Sequence, residues 1–153
     1  MERERKISLN IQPFAESDRD DIMRLQSEAK LPTEDGKMET LINFLVAREE
    51  NGTTIGVVGV ELYQDPGLLR SLVVHPSCSG RELGKQLTNE VEAYARGKGV
   101  KALFLLTMAA ANFFPRLGYQ VTQRFNVPQL IAETLEFKSA CHASAVCLHK
   151  NLG

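Results

Sequence analysis

The stretch LVVHPSCSGRELGKQL, Leu72 to Leu87, constrains the fold more than any other part of this chain. Leu69 to Val74 are apolar and β-branched enough for a buried strand, Pro76 stops it, and Gly80 to Gly84 make a compact basic loop opening an amphipathic helix. The first turn of a helix carries backbone N–H groups with no internal partner, with the positive end of the helix dipole behind them. Gly80 and Gly84 let an anion approach the backbone, and Arg81 and Lys85 add positive charge beside it. A pyrophosphate fits such a loop, although an ordinary solvated turn is built from the same residues. Neither G-x-x-x-x-G-K-[ST] nor G-x-G-x-x-G occurs, which excludes the P-loop and the dinucleotide fingerprint.

The rest of the chain narrows the class. With 153 residues and 43% hydrophobic content, residues 1–153 are expected to form a single domain with one core, without need of disulfides or metals. The formal net charge of −1, from 18 basic and 19 acidic residues interspersed, gives no broad field for nucleic acid or membrane, so neither is expected as a partner. MERERKISL is charged, unlike a signal peptide, and no apolar run approaches membrane-spanning length; a cytoplasmic location is expected. Cys78, Cys141 and Cys147 are an odd set without C-x-x-C, which argues for reduced thiols and against a disulfide framework or a metal site.

Periodicity predicts alternating strands and helices. Lys6 to Gln12 reads as a strand, and Ser17 caps a helix through about Ala29 with Ile22, Leu25 and Ala29 on its apolar face. A polar loop at Leu31 to Lys37 and a short helix near Met38 to Ile42 follow. Strands Phe44 to Arg48 and Thr54 to Tyr63 flank Asn51-Gly52, a strong hairpin signal. Asp65-Pro66-Gly67 reads as a turn into the strand Leu69 to Val74, and Leu83, Leu87, Val91 and Tyr94 recur at helical spacing until Gly97 and Gly99. Then come a buried strand Ala102 to Thr107, a helix Ala109 to Leu117 stopped by Gly118, a strand Tyr119 to Arg124, a helix from Pro128 to about Phe137, and a last strand Ser144 to His149. This order predicts an α/β (α+β) sandwich whose central sheet is mixed, mostly antiparallel, of about six to seven strands flanked by helices.

The loop resembles the acetyl-CoA loop of the GNAT acetyltransferases, a strand ending V-x-P, then R-G-x-G-[IL]-G, then a helix. Val74, Pro76, Gly80, Arg81, Leu83 and Gly84 fall on that pattern, and Arg81 to Gln86 lie on the family's [QR]-x-x-G-x-[GA] segment. Ser79, Glu82 and Gln86 depart from it, replacing a basic residue, a glycine and a small residue. Downstream, Ala110, Phe113, Phe114, Gly118 and Tyr119 match A-x-x-F-[YF]-x-x-x-G-[FY]. The resemblance implies a GNAT fold splayed at the coenzyme cleft, with acetyl-CoA as co-substrate and its pantetheine arm pairing with backbone at Leu72, Val73 and Val74. It also implies that Ser79, Gly80, Arg81, Glu82, Leu83, Gly84 and Lys85 hold the pyrophosphate, with Asn112 and Phe114 beside the coenzyme arm.

Many GNATs carry at the Phe114 position a tyrosine that protonates the departing thiolate; phenylalanine cannot donate, which leaves Tyr119 as a candidate acid, against a core-packing role for the same ring. A base is needed because the acceptor amine is protonated at neutral pH, and Glu61, late in the long hairpin strand, is the candidate, with a solvated strand-end role as the alternative. Arg70 and Ser71 open the coenzyme strand, where an arginine can grip a substrate carboxylate bidentately or pair with a nearby acid. His75 reads as structural or coenzyme-facing, and His142 and His149 as solvated.

FLVAREENGTTIGVVGVELY, LLRSLVVHP, FFPRLGYQ and the tail VPQLIAETLEFKSACHASAVCLHKNL together resemble the small GNAT proteins associated with bacterial arsenic-resistance genes. The tail also resembles the acetyltransferase domain of bacterial N-acetylglutamate synthase. These likenesses imply a small, amino-acid-like amine as acceptor, a role in arsenic or toxic-amine resistance, and a monomer or homodimer. Direct arsenite binding by the scattered thiols is disfavoured by their spacing. A GNAT-fold binding module that senses acyl-CoA or an amino acid without turnover stays open beside the enzyme, because of Phe114 and Glu82.

Overall fold

The computed structural model describes residues 10–28, 43–63, 65–75, 81–107, 113–123, 126–132 and 146–153. Its strands are β1 (Asn10–Pro13), β2 (Phe44–Arg48), β3 (Thr54–Leu62), β4 (Pro66–Val74), β5 (Ala102–Thr107), β6 (Gln120–Val121) and β7 (Val146–Asn151), and its helices α1 (Arg19–Glu28), α2 (Arg81–Gly97), α3 (Phe113–Arg116) and α4 (Gln129–Ala132). The strands form one seven-stranded sheet in the order β1-β2-β3-β4-β5-β7-β6. The chain divides into two compact units, Met1–Gly59 with Ser71–Val91, and Val60–Arg70 with Glu92–Gly153. β3, β4 and α2 each run from one unit into the other.

In the first unit, β1, β2 and β3 are antiparallel, with Pro13 opposite Leu45 and Phe44 opposite Gly59. The hairpin turns at Asn51-Gly52, where Gly52 takes φ +90° and Asn51 Oδ1 accepts the Thr53 N–H at 2.9 Å. Ile22 and Leu25 of α1 pack with Phe44, Val46, Val57 and Val73, each such side chain contributing about 1.5–3 kcal/mol by its removal from water. Gly59 is required there, because a Cβ would lie 2.4–2.7 Å from the Phe44 ring. Gly56 has a like role: its absent Cβ makes room for Leu83 and Leu87, so α2 lies close against β3.

In the second unit, β4 begins parallel to β5, Pro66 to Leu68 facing Ala102 to Phe104. β5 then pairs antiparallel with β7 along its length, and β6 pairs with β7 at the sheet edge. Leu68, Phe104, Val127, Ile131 and Cys147 form the core beneath it.

Several expectations are corrected. Ser17 does not cap α1: a 3₁₀ turn over Glu16–Asp18 precedes the helix, and the Asp18 carboxylate accepts the Ala15 N–H at 2.9 Å. Asp65-Pro66-Gly67 is not a complete turn, because Pro66 and Gly67 already belong to β4. Proline at the first residue of a strand forfeits little, and Gly67 is buried where a Cβ would crowd Leu103, Val100 and Val60. Of the strand expected over Tyr119 to Arg124, the described residues keep Gln120–Val121, with Tyr119 turned into the core; Arg124 lies outside the described residues. Gly84 is not part of a loop: α2 starts at Arg81, so Gly84 is buried in the first helical turn. The last strand runs on to Asn151, two residues past the expected end at His149; Ser144 and Ala145 lie outside the described residues. The loop at Leu31 to Lys37 and the helix near Met38 to Ile42 lie outside the described residues.

Candidate active site

β4 carries three of the expected coenzyme residues. Val73 is buried in the first unit's core, so Leu72 and Val74, one residue to either side, belong to the opposite face by the two-residue period of a strand. The strand remains tied to β3 up to its end, where the His75 N–H reaches the Ile55 carbonyl at 2.8 Å. α2 then presents the backbone N–H groups of Arg81, Glu82, Leu83 and Gly84 as its first turn, those that lack an i−4 carbonyl partner. Leu83 is buried and anchors that turn, while Glu82 and Lys85 are exposed. Thr88 Oγ1 donates to the Gly84 carbonyl at 2.8 Å. Ser79, Gly80 and Asn112 lie outside the described residues.

The expected base and the expected carboxylate grip come together. Glu61, on β3, and Arg70, on β4, form an ion pair through Glu61 Oε2 and Arg70 Nη1. The Tyr63 hydroxyl donates to the other oxygen, Glu61 Oε1. The carboxylate is therefore held at both oxygens, yet the cluster is only part-buried. Tyr63 was not singled out by sequence reasoning. The available signal was its i+2 spacing from Glu61, which puts two side chains on one side of an extended chain. The side chain of Ser71 is not among those described.

Phe114 and Tyr119 are buried side by side, edge to face at 5.5 Å between ring centroids. Tyr119 is 2% exposed and its hydroxyl donates to Glu92 Oε2 at 2.9 Å. Burial, and secondarily the charge and hydrogen bond of Glu92, push the Tyr119 phenol well above its ordinary range. Lys150 Nζ completes the cluster, 3.0 and 3.1 Å from the two Glu92 oxygens. This geometry favours the core-packing role of Tyr119 over that of an acid meeting solute. His149 is stacked on Phe104 at 5.6 Å and hydrogen-bonded to Thr122, a packed position in place of a solvated one. Among the described residues, no group of three or more His, Cys, Asp or Glu side chains is arranged to hold a metal ion, and no helix is long and apolar enough to cross a membrane.

Comparison with known proteins bears on this arrangement. The sequence is 30% identical over 102 residues to an uncharacterized N-acetyltransferase of Schizosaccharomyces pombe, covering 61% of this chain and 63% of that protein. It is 32% identical over 74 residues to the amino-acid acetyltransferase of Pseudomonas paraeruginosa, 48% of this chain but 17% of the relative's length. The chain thus spans less than two thirds of these relatives. Among solved structures, N-acetylglutamate synthase from Neisseria gonorrhoeae, complexed with coenzyme A and N-acetyl-glutamate, superposes with a TM-score of 0.82 at 20% identity, covering 97% of this chain and 36% of that one. Rv2747 from Mycobacterium tuberculosis, solved in complex with CoA, superposes with a TM-score of 0.79 at 18% identity, covering 93% and 98%. The profile of the acetyltransferase (GNAT) domain matches residues 41–121, more than half of the chain and the whole of β3, β4 and α2, and the chain accordingly belongs to the GNAT acetyltransferase family.

Proposed function

We propose that this protein transfers acetyl from acetyl-CoA to the primary amine of a small, amino-acid-like acceptor. The observation that carries this reading is the part-exposed Glu61–Arg70 pair on the strands that lead to Leu72–Val74. It offers an anion to an ammonium and a guanidinium to a carboxylate, the two charges of an α-amino acid. The curated amino-acid acetyltransferase relatives and the N-acetylglutamate synthase fold support the same acceptor class.

In this reading the leading N–H groups of α2 and the charge of Lys85 receive the pyrophosphate, helped by Ser79, Gly80 and Arg81. Glu82 is exposed, so its carboxylate can remain in solvent while its backbone N–H serves the anion. The backbone of Leu72, Val73 and Val74 orders the pantetheine arm, with Asn112 and Phe114 beside it. Arg70 and Ser71 orient the acceptor carboxylate. Glu61 takes one proton from the ammonium, the freed amine forms the N–C bond, the C–S bond breaks to leave a thiolate, and the second proton that the nitrogen sheds on becoming an amide goes to solvent. No covalent enzyme intermediate is required. With phenylalanine at 114, the thiolate leaves with its charge and is protonated by solvent.

The test is calorimetric titration with acetyl-CoA, followed by assay of thiol release on a panel of α-amino acids and amino-acid analogues. The panel includes amino-acid-like organoarsenicals, the acceptor that a role in arsenic resistance would require. Binding with turnover on an α-amino acid is expected; binding without turnover on any amine would instead support a sensor. Gly84→Asp, which puts bulk and negative charge into the first turn of α2, is expected to abolish coenzyme binding, and unchanged affinity would refute the assignment of this turn.

A further inference from the structure

The cluster of Glu61 on β3, Tyr63 just after that strand and Arg70 on β4 carries a step beyond the roles given above, and that step rests on the amino-acid reading of the acceptor. Arg70 Nη1 is on Glu61 Oε2 and the Tyr63 hydroxyl is on Oε1, so the carboxylate faces incoming solute with its charge compensated and both oxygens engaged. We infer that Arg70 restrains Glu61 until the acceptor's own carboxylate takes the guanidinium, and that Tyr63 keeps the released carboxylate in place.

Charge accounting favours the exchange. A guanidinium has five donors in a planar fork that suits a carboxylate, and an α-amino acid brings a carboxylate and an ammonium on adjacent atoms. Inserted at the pair, the acceptor replaces one ion pair by two, Arg70 with its carboxylate and Glu61 with its ammonium. No charge is left alone, which is the condition under which opening a part-buried pair is cheap. The side chains of Arg70 and Glu61 keep 18% and 28% exposure, enough for a small solute to reach them. An amine without a carboxylate has nothing to offer Arg70, so Glu61 stays restrained and the amine stays protonated.

Tyr63 is suited to the positioning part. It packs against the core formed by Leu68, Phe104 and Ile131, and its N–H is bonded to the Pro66 carbonyl at 3.0 Å. Its hydroxyl is therefore fixed from two sides and keeps Oε1 engaged when Oε2 is released. Tyr63 acts through Glu61; it is a positioning residue, not a catalytic one.

The experiment measures steady-state thiol release with the best-used α-amino acid and with its carboxamide, for the unaltered protein, Arg70→Gln and Tyr63→Phe, each variant compared on the same acceptor. Arg70→Gln is expected to lose about 10- to 100-fold in kcat/KM on the amino acid, as one charged hydrogen-bonded contact is worth, and to gain several-fold on the carboxamide because Glu61 is no longer restrained. Tyr63→Phe is expected to lower kcat about tenfold on the amino acid with KM unchanged, and to leave the carboxamide rate as it is, because there Glu61 is not released. Equal losses on both acceptors in Arg70→Gln, or an unchanged carboxamide rate, would overturn the exchange. A raised KM at constant kcat in Tyr63→Phe would overturn the positioning role. If the unaltered protein binds acetyl-CoA and turns over neither acceptor, the amino-acid reading itself has failed, and the exchange with it.

Discussion

The two units each contain an arginine–carboxylate pair, and the pairs differ in what surrounds the acid. In the first, Arg48 holds Asp18, whose side chain is 5% exposed; Asp18 also takes the Ala15 N–H, and Arg48 reaches Gln12 Oε1 at 2.9 Å. Both Asp18 oxygens and all three guanidinium nitrogens of Arg48 have partners within the fold, tying the turn before α1 to β1 and β2. In the second, Arg70 holds Glu61, whose side chain is 28% exposed and shared with a tyrosine hydroxyl. The chemistry of the two pairs is the same, and they differ in solvent access to the acid, which on the reading proposed above separates a clamp from a pair that a solute can open. Glu92 shows that the unit is not what decides: in the second unit too, an acid 7% exposed is enclosed by Lys150 and Tyr119.

Asp18→Asn should give the largest effect on stability, because breaking a buried pair from one side leaves the other charge uncompensated. A loss of about 3–5 kcal/mol is expected, read as a shift in urea midpoint. A loss near zero would place Asp18 with Glu61 and erase the contrast. Tyr119→Phe should come next, at about 1.5–3 kcal/mol, since it removes one hydrogen bond to a buried carboxylate that Lys150 still holds. The same variant tests pH dependence. A phenol whose ionisation is raised in the folded state contributes fully below the unfolded value of 10.0, and its contribution is lost as pH rises above that value. Stability of the unaltered protein should therefore fall more steeply above pH 10 than that of Tyr119→Phe, by chemical denaturation at stepped pH. The smallest effect on stability is expected for Glu61→Gln, within about 1 kcal/mol, as is usual for a part-exposed pair.

Local pattern disclosed much of the architecture. β2 and β5 fall on the residues that apolar runs assign, because Phe44–Arg48 lies between Asn43 and Glu49, and Ala102–Thr107 follows Lys101 and closes on a polar threonine. α2 was equally legible from Leu83, Leu87 and Val91, which the structure buries. The start of β4 was not, because Pro66 and Gly67 carry turn chemistry in any local reading. Only the packing of Val60, Val100 and Leu103 around Gly67 makes that glycine a strand residue. The site divides in the same way. Glu61 and Arg70 could each be chosen from residue type and position, but their pairing is a property of two strands lying side by side. A tyrosine near a strand end, as Tyr63 is, carries no signal of its own in the sequence; the Glu61 carboxylate against its hydroxyl supplies it. Phe114 and Tyr119 were recognisable by motif, but their burial against each other and the Glu92 partner of Tyr119 are properties of the folded chain.

The central claim is that Glu61 acts on the acceptor and does not hold the fold. It is tested most directly by measuring thiol release and acetyl-CoA affinity side by side for Glu61→Gln and the unaltered protein, on the amino acid used best. The account predicts acetyl-CoA affinity within about twofold and turnover lower by about 10²–10⁴-fold, the range that loss of a general base gives. Turnover unchanged at full coenzyme occupancy would contradict it and make Glu61–Arg70 a second clamp.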